Sequence, residues 1–166
     1  EAIAQYTAAR VAARRAGWPQ GESAALNNLG NVEFDDGQLV EAAYHFASAL
    51  AIDAGKRPEA RELIQKALSV NESSLEARSL LAGLAYVEDK PVEFKAEADR
   101  VLAIAPRYGE LYRVTGELLA RNYRFEEAVV LSRKALEIDP NDALTLSALG
   151  VQLLRTGDES EARQVL

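Results

Sequence analysis

Few side chains in this sequence have the types and the spacing that catalysis needs. His45 is the only histidine and cysteine is absent, so a zinc site would need carboxylates alone, which zinc rarely accepts. Neighbouring carboxylates such as Glu88/Asp89 and Glu126/Glu127 fall at predicted turns or helix starts, where capping and the helix dipole account for them. No phosphate-binding loop or nucleophile motif occurs in the sequence. We therefore expect no enzymatic activity, no bound metal and no cofactor.

Three arginines have side chains better suited to binding than to catalysis. A guanidinium group recognises a carboxylate through two parallel hydrogen bonds, and Arg113, Arg121 and Arg155 would together receive an acidic peptide. The alternative interpretation is that they are ordinary surface arginines paired with Glu110 and Glu117.

The net charge of the chain limits the classes of partner. It is −7, with a pI of about 4.9, and an acidic surface repels the phosphates of nucleic acids. No apolar run reaches the roughly 18 residues of a membrane span. We expect a soluble protein that does not bind nucleic acid and does not insert into a membrane. The sequence does not identify the compartment, although the cytoplasm is slightly favoured.

The elements that carry these residues repeat along the chain. Several columns of like residues recur with a constant spacing of about 34 residues, which is the period of one helix-pair repeat. The columns include Glu59/Glu93/Glu127/Glu161, Leu68/Leu102/Leu136, Val70/Ile104/Ile138 and Lys66/Arg100/Lys134. Acidic residues at helix starts and basic residues towards helix ends favour folding, so these columns predict helices and do not indicate a site.

The apolar spacing predicts an all-α fold of about ten helices. Pro140 ends one helix and Asp142 caps the next, while the segment 17–21 (Gly-Trp-Pro-Gln-Gly) is the strongest break. The predicted helices are 2–16, 22–35, 39–53, 58–69, 74–87, 91–103, 108–121, 124–138, 142–155 and 158–166.

The repeats resemble the tetratricopeptide repeat family. In the unit 109–142 its usual places hold Tyr112, Thr115-Gly116, Tyr123, Ala128, Ser132, Ala135 and Pro140, and in the last unit Leu146, Leu149-Gly150, Gly157 and Ala162. The resemblance implies a right-handed superhelical solenoid of antiparallel helix pairs.

The repeat units predict a single helical-repeat domain over residues 1–166. The units are about 22–54, 41–74, 75–108, 109–142 and a partial 143–166. Because the first two overlap, helix 39–53 is shared between two registers. Helix 2–16 matches least well, and whether it caps the array or fills its groove is left open.

The resemblance also implies a concave groove along the first helix of each pair. The predicted binding positions are Asn27, Asn31, His45, Tyr86, Arg113, Glu117, Arg121 and Arg155. Further positions mapped to the same surface are Phe34, Ile52, Glu76, Ser79, Gly83, Glu110, Ser147 and Val151. For His45, packing on a neighbouring helix is the alternative to facing the groove.

These features predict a non-catalytic scaffold that binds a peptide or protein segment in the groove, an acidic one being expected. The alternative is a structural spacer packed against a catalytic domain of the same chain. Since the sequence lacks methionine and stops inside an apparent helix, we expect a segment of a longer protein. Its exposed solenoid ends would favour self-association.

Overall fold

The fold is helical, as the spacing of apolar residues predicts. A computed structural model describes residues 1–35, 39–51 and 54–165; residues 36–38, 52–53 and 166 are outside the description. Within those ranges lie ten α-helices and no strand, which confirms the all-α class and the number of helices. The helices are α1 Ala2–Arg15, α2 Pro19–Asp35, α3 Leu39–Ala51, α4 Arg57–Val70, α5 Leu75–Val87, α6 Pro91–Ile104, α7 Glu110–Arg121, α8 Phe125–Ile138, α9 Ala143–Thr156 and α10 Glu159–Val165.

One predicted helix boundary is off by three residues, whereas the other described boundaries agree to within two. Helix α2 begins at Pro19 and not at residue 22, because proline is tolerated in the first turn of a helix, where its missing N–H is not needed. The break between α1 and α2 is therefore confined to the residues around Gly17, whose φ is +62°. The last two residues of the predicted helix 39–53 are outside the described part of the chain.

The first compact unit, Glu1–Ala77, contains α1 to α4 and the start of α5. Within it α1 packs on α2, α2 on α3 and α3 on α4, so that α3 contacts both α2 and α4. Buried Leu26 and Leu29 of α2, Ala42 of α3 and Ile64 of α4 form its interior. That helix 39–53 serves two repeat registers remains a prediction.

A buried ion pair attaches α1 to α2. Glu22 is 1% exposed, and its Oε1 accepts hydrogen bonds from Arg14 Nε at 3.1 Å and Nη2 at 2.8 Å. Arg10 approaches the same oxygen at 3.7 Å. Because a buried carboxylate is costly unless it is paired, the two arginines explain why α1, with only Ala13 buried, lies along α2.

The second unit runs from Arg78 to Val165, the last described residue, and contains most of α5 together with α6 to α10. Here α7 packs on α8, α8 on α9 and α9 on α10. Buried Leu149 and Leu153 of α9 pack in one cluster with Val129 and Ala162. Asp142 caps α9 as predicted, accepting bonds from the backbone N–H groups of Leu144 at 3.3 Å and Thr145 at 3.2 Å.

The turns inside the helix pairs repeat with the sequence period. Asp89, Tyr123 and Gly157 have φ values of +56°, +61° and +91°, and successive members are one repeat period apart. In each case the next residue's N–H bonds back to the first helix, at 2.9, 3.0 and 2.8 Å. The repeat period is thus present in the backbone conformation as well as in the side chains.

Candidate interaction surfaces

In the first unit, the predicted site residues Asn27 and Asn31 lie together on α2. They are four positions apart, on adjacent turns of one helical face, and both are exposed. The buried residues Leu26 and Leu29 lie on the other side of the helix. Two amide side chains are therefore available there for hydrogen bonding, although they carry no charge.

His45 packs against α2. Its Nδ1 lies 2.5 Å from Oε2 of Glu33, a carboxylate that is only 6% exposed. The imidazole ring also meets the ring of Tyr44 edge-on, with a centroid distance of 5.3 Å. The half-buried histidine thus satisfies a buried carboxylate, and its contacts connect α3 to α2.

In the second unit, Tyr86 is part of the packing between helices. Its ring meets Phe94 of α6 edge-on at 4.8 Å, and the guanidinium of Arg124 lies 5.8 Å from the ring centroid. Tyr86 also contributes to lowering the pKa of Glu127 of α8. Half-buried Tyr86 therefore joins α5 to α6 and to the start of α8.

Two other positions mapped to the groove, Ser79 and Gly83, are buried. A Cβ atom added to Gly83 would lie 2.9 Å from Leu118 Cδ1 and 3.4 Å from Thr115 Cα of α7. The expectation that these positions face a ligand is wrong, because both are buried and α7 covers Gly83. Phe34 and Ile52 are outside the residues whose side chains are described.

Arg113 is buried between two carboxylates of its own helix. It is 7% exposed; its Nε donates to Glu110 Oε2 at 2.8 Å, its Nη2 to the other oxygen of Glu110, and its Nη1 to Glu117. The Glu117 side chain is itself only 13% exposed. The pairing matches the alternative interpretation of these arginines, but Arg113 is not a surface residue.

Arg121 and Arg155 lie closer to solvent. They are one repeat period apart, each in the last turn of a first helix, where the helix dipole favours a positive charge. Arg121 is half-buried and Arg155 is exposed. Of the three predicted arginines, these two are accessible at the surface of the second unit.

The structure adds a row of apolar residues on α9 that the predicted site did not include as a group. Leu144, Val151 and Leu154 are each about half exposed, at 49%, 50% and 50%. At the same repeat positions α7 carries Glu110, Glu117 and Ala120. Comparing these repeat positions of α7 and α9 in the sequence would have revealed the apolar row.

The described residues contain no group of three or more side chains that could together hold a metal ion. No helix in the described ranges is both long enough and apolar enough to cross a bilayer.

Comparisons with known proteins bear on the repeat itself. Residues 131–164 match the family model described as tetratricopeptide repeat. The predicted resemblance is thereby confirmed for a segment that runs from α8 through α9 into α10.

Among solved structures, MamA (41-end) from Desulfovibrio magneticus RS-1 aligns with a TM-score of 0.49 and 19% identity, covering 99% of this chain and 91% of that one. A MamA RS-1 double mutant gives the same score and identity, with 99% and 90% covered. Another MamA crystal structure gives 0.46 and 19%, with 99% and 88% covered. At these TM-scores and identities the structural similarity supports no conclusion about function. No curated protein is similar to the chain in sequence.

Proposed function

We propose that this chain is a non-catalytic scaffold that holds an acidic protein segment against the first helices of its second unit. The observation that carries the proposal is on α9, where an exposed apolar row lies beside exposed Arg155. This helix belongs to the matched tetratricopeptide repeat. Apolar surface supplies binding free energy, and an accessible guanidinium selects a carboxylate.

The burial of side chains reduces the set of predicted residues that can contact a partner. Arg113 and Glu117 bind each other and Tyr86 packs between helices, so we assign these three residues to stabilising the unit. Arg121 and Arg155, which are half-buried and exposed, are the positions that we assign to an acidic segment. Asn27 and Asn31 are a separate exposed pair in the first unit, available for uncharged hydrogen bonding.

The test is a pull-down from source-organism lysate with purified protein. Wild type is compared with the double variant Arg121→Glu/Arg155→Glu. Arg113 is left unchanged, because Arg113→Glu would bury a third carboxylate beside Glu110 and Glu117 and unfold α7. The matched control is Arg163→Glu on α10, whose side chain is 82% exposed. Circular dichroism verifies that each variant is folded.

We expect a protein that is retained by wild type and by Arg163→Glu and is lost from the double variant. Equal capture by all three would show that the two arginines are not the site. Capture of no other protein would favour the structural spacer.

A further inference from the structure

Two repeat columns of buried residues change from apolar to polar where α8 packs on α9. The column on the second helices holds Ile64, Ala98 and Ser132, and the column on the first helices holds Leu84, Leu118 and Gln152. The first two members of each column are apolar, whereas the last members are a hydroxyl and an amide. The contact between α8 and α9, called here the α8–α9 joint, therefore differs in chemistry from its repeat equivalents.

Ser132 and Gln152 meet inside this joint. The Ser132 Oγ donates to Gln152 Oε1 at 2.8 Å, and the two residues are only 1% and 2% exposed. The Nε2 amide group of Gln152 is buried as well, and it donates to no group among the described residues. Because a buried donor without an acceptor costs more free energy than one hydrogen bond returns, this polar pair holds two helices together less firmly than alanine and leucine would.

The ion pair that joins α8 to α10 adds little to the joint. Arg133 of α8 donates to both carboxylate oxygens of Glu161, at 2.8 and 2.7 Å. The two side chains are 49% and 42% exposed, and an ion pair open to solvent contributes little to stability. The weak contact at Ser132 and Gln152 is therefore not offset by a strong electrostatic contact between the same helices.

The α8–α9 joint determines the relative position of the two arginines of the proposed site. Arg121 is at the end of α7, which packs on α8, and Arg155 is in the last turn of α9, which packs on α10. The contact between α7 and α9 is slight, so these helices are connected mainly through α8. A small shear of α9 on α8 therefore changes the distance between the two guanidinium groups.

We propose that the α8–α9 joint is movable, and that α9 and α10 shift together against α7 and α8 to fit the spacing of Arg121 and Arg155 to an acidic segment. The fit to a segment rests on the proposed function, whereas the motion does not. Ser132 and Gln152 are positioning residues, because they are buried and act only through the helices that carry them. Segments that move on binding are drawn from the least stable contacts of a fold.

The first test is hydrogen exchange of the whole chain, measured by mass spectrometry. The variant Ser132→Ala/Gln152→Leu gives the joint the residue types of the preceding repeat, Ala98 and Leu118. We expect the variant to raise the protection of backbone amides in α9 and α10 by at least about tenfold, since a firmer interface opens less often. Protection in α7 and α8 should stay as in wild type.

Gln164→Leu is the matched control for this variant. It makes the same change at an exposed position of α10, so the protection of α9 and α10 should not rise. If Ser132→Ala/Gln152→Leu left their protection unchanged or lowered it, the polar pair would be no weaker than an apolar one and the proposal would be overturned. An equal rise in all helices of the second unit would also overturn it, because that is general stabilisation.

The second test measures the spacing of the two positions, which a merely structural pair would not alter. The chain has no cysteine, so spin labels on Arg121→Cys/Arg155→Cys give one distance distribution by electron paramagnetic resonance. We expect this distribution to narrow by roughly a factor of two when Ser132→Ala/Gln152→Leu is added, because fewer arrangements of the joint are populated. Equal widths with and without the added changes would show that the joint does not move the two positions.

Failure of this inference is distinguishable from failure of the proposed function, because both measurements use the purified chain without a partner. If they show no motion but the pull-down retains a protein that Arg121→Glu/Arg155→Glu loses, the scaffold stands with a rigid pair of arginines. If the motion is present but no protein is captured, the movable joint stands and its role in fitting a segment fails.

Discussion

Among the three equivalent turn residues Asp89, Tyr123 and Gly157, Tyr123 is the one whose left-handed backbone costs the most free energy. It occupies the left-handed turn position that glycine fills in the next repeat, at Gly157. Left-handed backbone costs a residue with a Cβ about 1–2 kcal/mol. The Tyr123 side chain is 83% exposed, and its ring makes an edge contact with Phe125 at 6.1 Å, which recovers part of that cost.

We expect Tyr123→Gly to be about 1 kcal/mol more stable than Tyr123→Ala, because both remove the ring contact but only glycine relieves the backbone. Gly157→Ala should destabilise by a similar amount. Urea denaturation followed by circular dichroism measures both differences. Equal stabilities of the glycine and alanine variants at position 123 would mean that the turn relaxes without strain.

At the scale of helices, Arg124 joins the start of α8 to the end of α5. Its Nε and Nη2 donate to Glu127 at 2.6 and 2.8 Å, while Nη1 donates to Asp89 at 3.0 Å and to the Val87 carbonyl at 3.4 Å. The hydrogen bond from Arg124 lowers the pKa of Glu127 below its ordinary value of 4.5, helped by the arginine's charge and a bond from Tyr86, and opposed by burial. The same hydrogen bond raises the pKa of Arg124.

The sign of the pH dependence follows from that lowered pKa. Glu127 stabilises the folded chain above the unfolded pKa of 4.5, and this contribution is lost as the pH falls through the lower folded value. Since the Glu127 side chain is 42% exposed, the contribution at neutral pH is no more than about 1 kcal/mol. Wild type should therefore be more stable than Glu127→Gln at pH 7, with the difference disappearing in acid. Thermal melts of both proteins from pH 7 down into acid measure this difference in stability.

The control is Glu126→Gln, which removes an exposed carboxylate at the preceding position and should show a smaller difference. A stability difference at Glu127 that does not change with pH would contradict the assignment.

Helix positions could be predicted from the sequence because local signals agree with one another. Pro140 and Asp142 end α8 and begin α9 as expected, and the recurring glutamates Glu59 and Glu93 lie in first turns. The start of α2 was missed because proline both breaks and begins helices. The left-handed turns at Asp89 and Tyr123 were not predicted, since tyrosine does not signal that conformation and aspartate signals it only weakly.

For the whole molecule, the period predicts which positions share a column but not which columns are covered. Arg113 and Tyr86 were assigned to a binding surface by register, and the structure gives their polar groups partners inside the second unit. Burial depends on the neighbouring repeat and on the size of the residue in the column, which is small at Gly83 and large at Val151. The apolar residues of the row on α9 can be found by comparing repeat positions in the sequence, but their exposure could be recognised only from the surroundings of equivalent residues.

On a chain with a net charge of −7, capture of an acidic segment by Arg121 and Arg155 should depend on salt. Raising salt from about 0.01 M to about 1 M shortens the screening length from about 30 Å to about 3 Å. Capture of an external acidic segment by the two arginines should therefore weaken over this range, whereas contacts of the apolar row on α9 are not screened. Pull-down at both salt concentrations measures the trend. Capture that salt leaves unchanged would mean that apolar contacts, and not the two arginines, hold the segment.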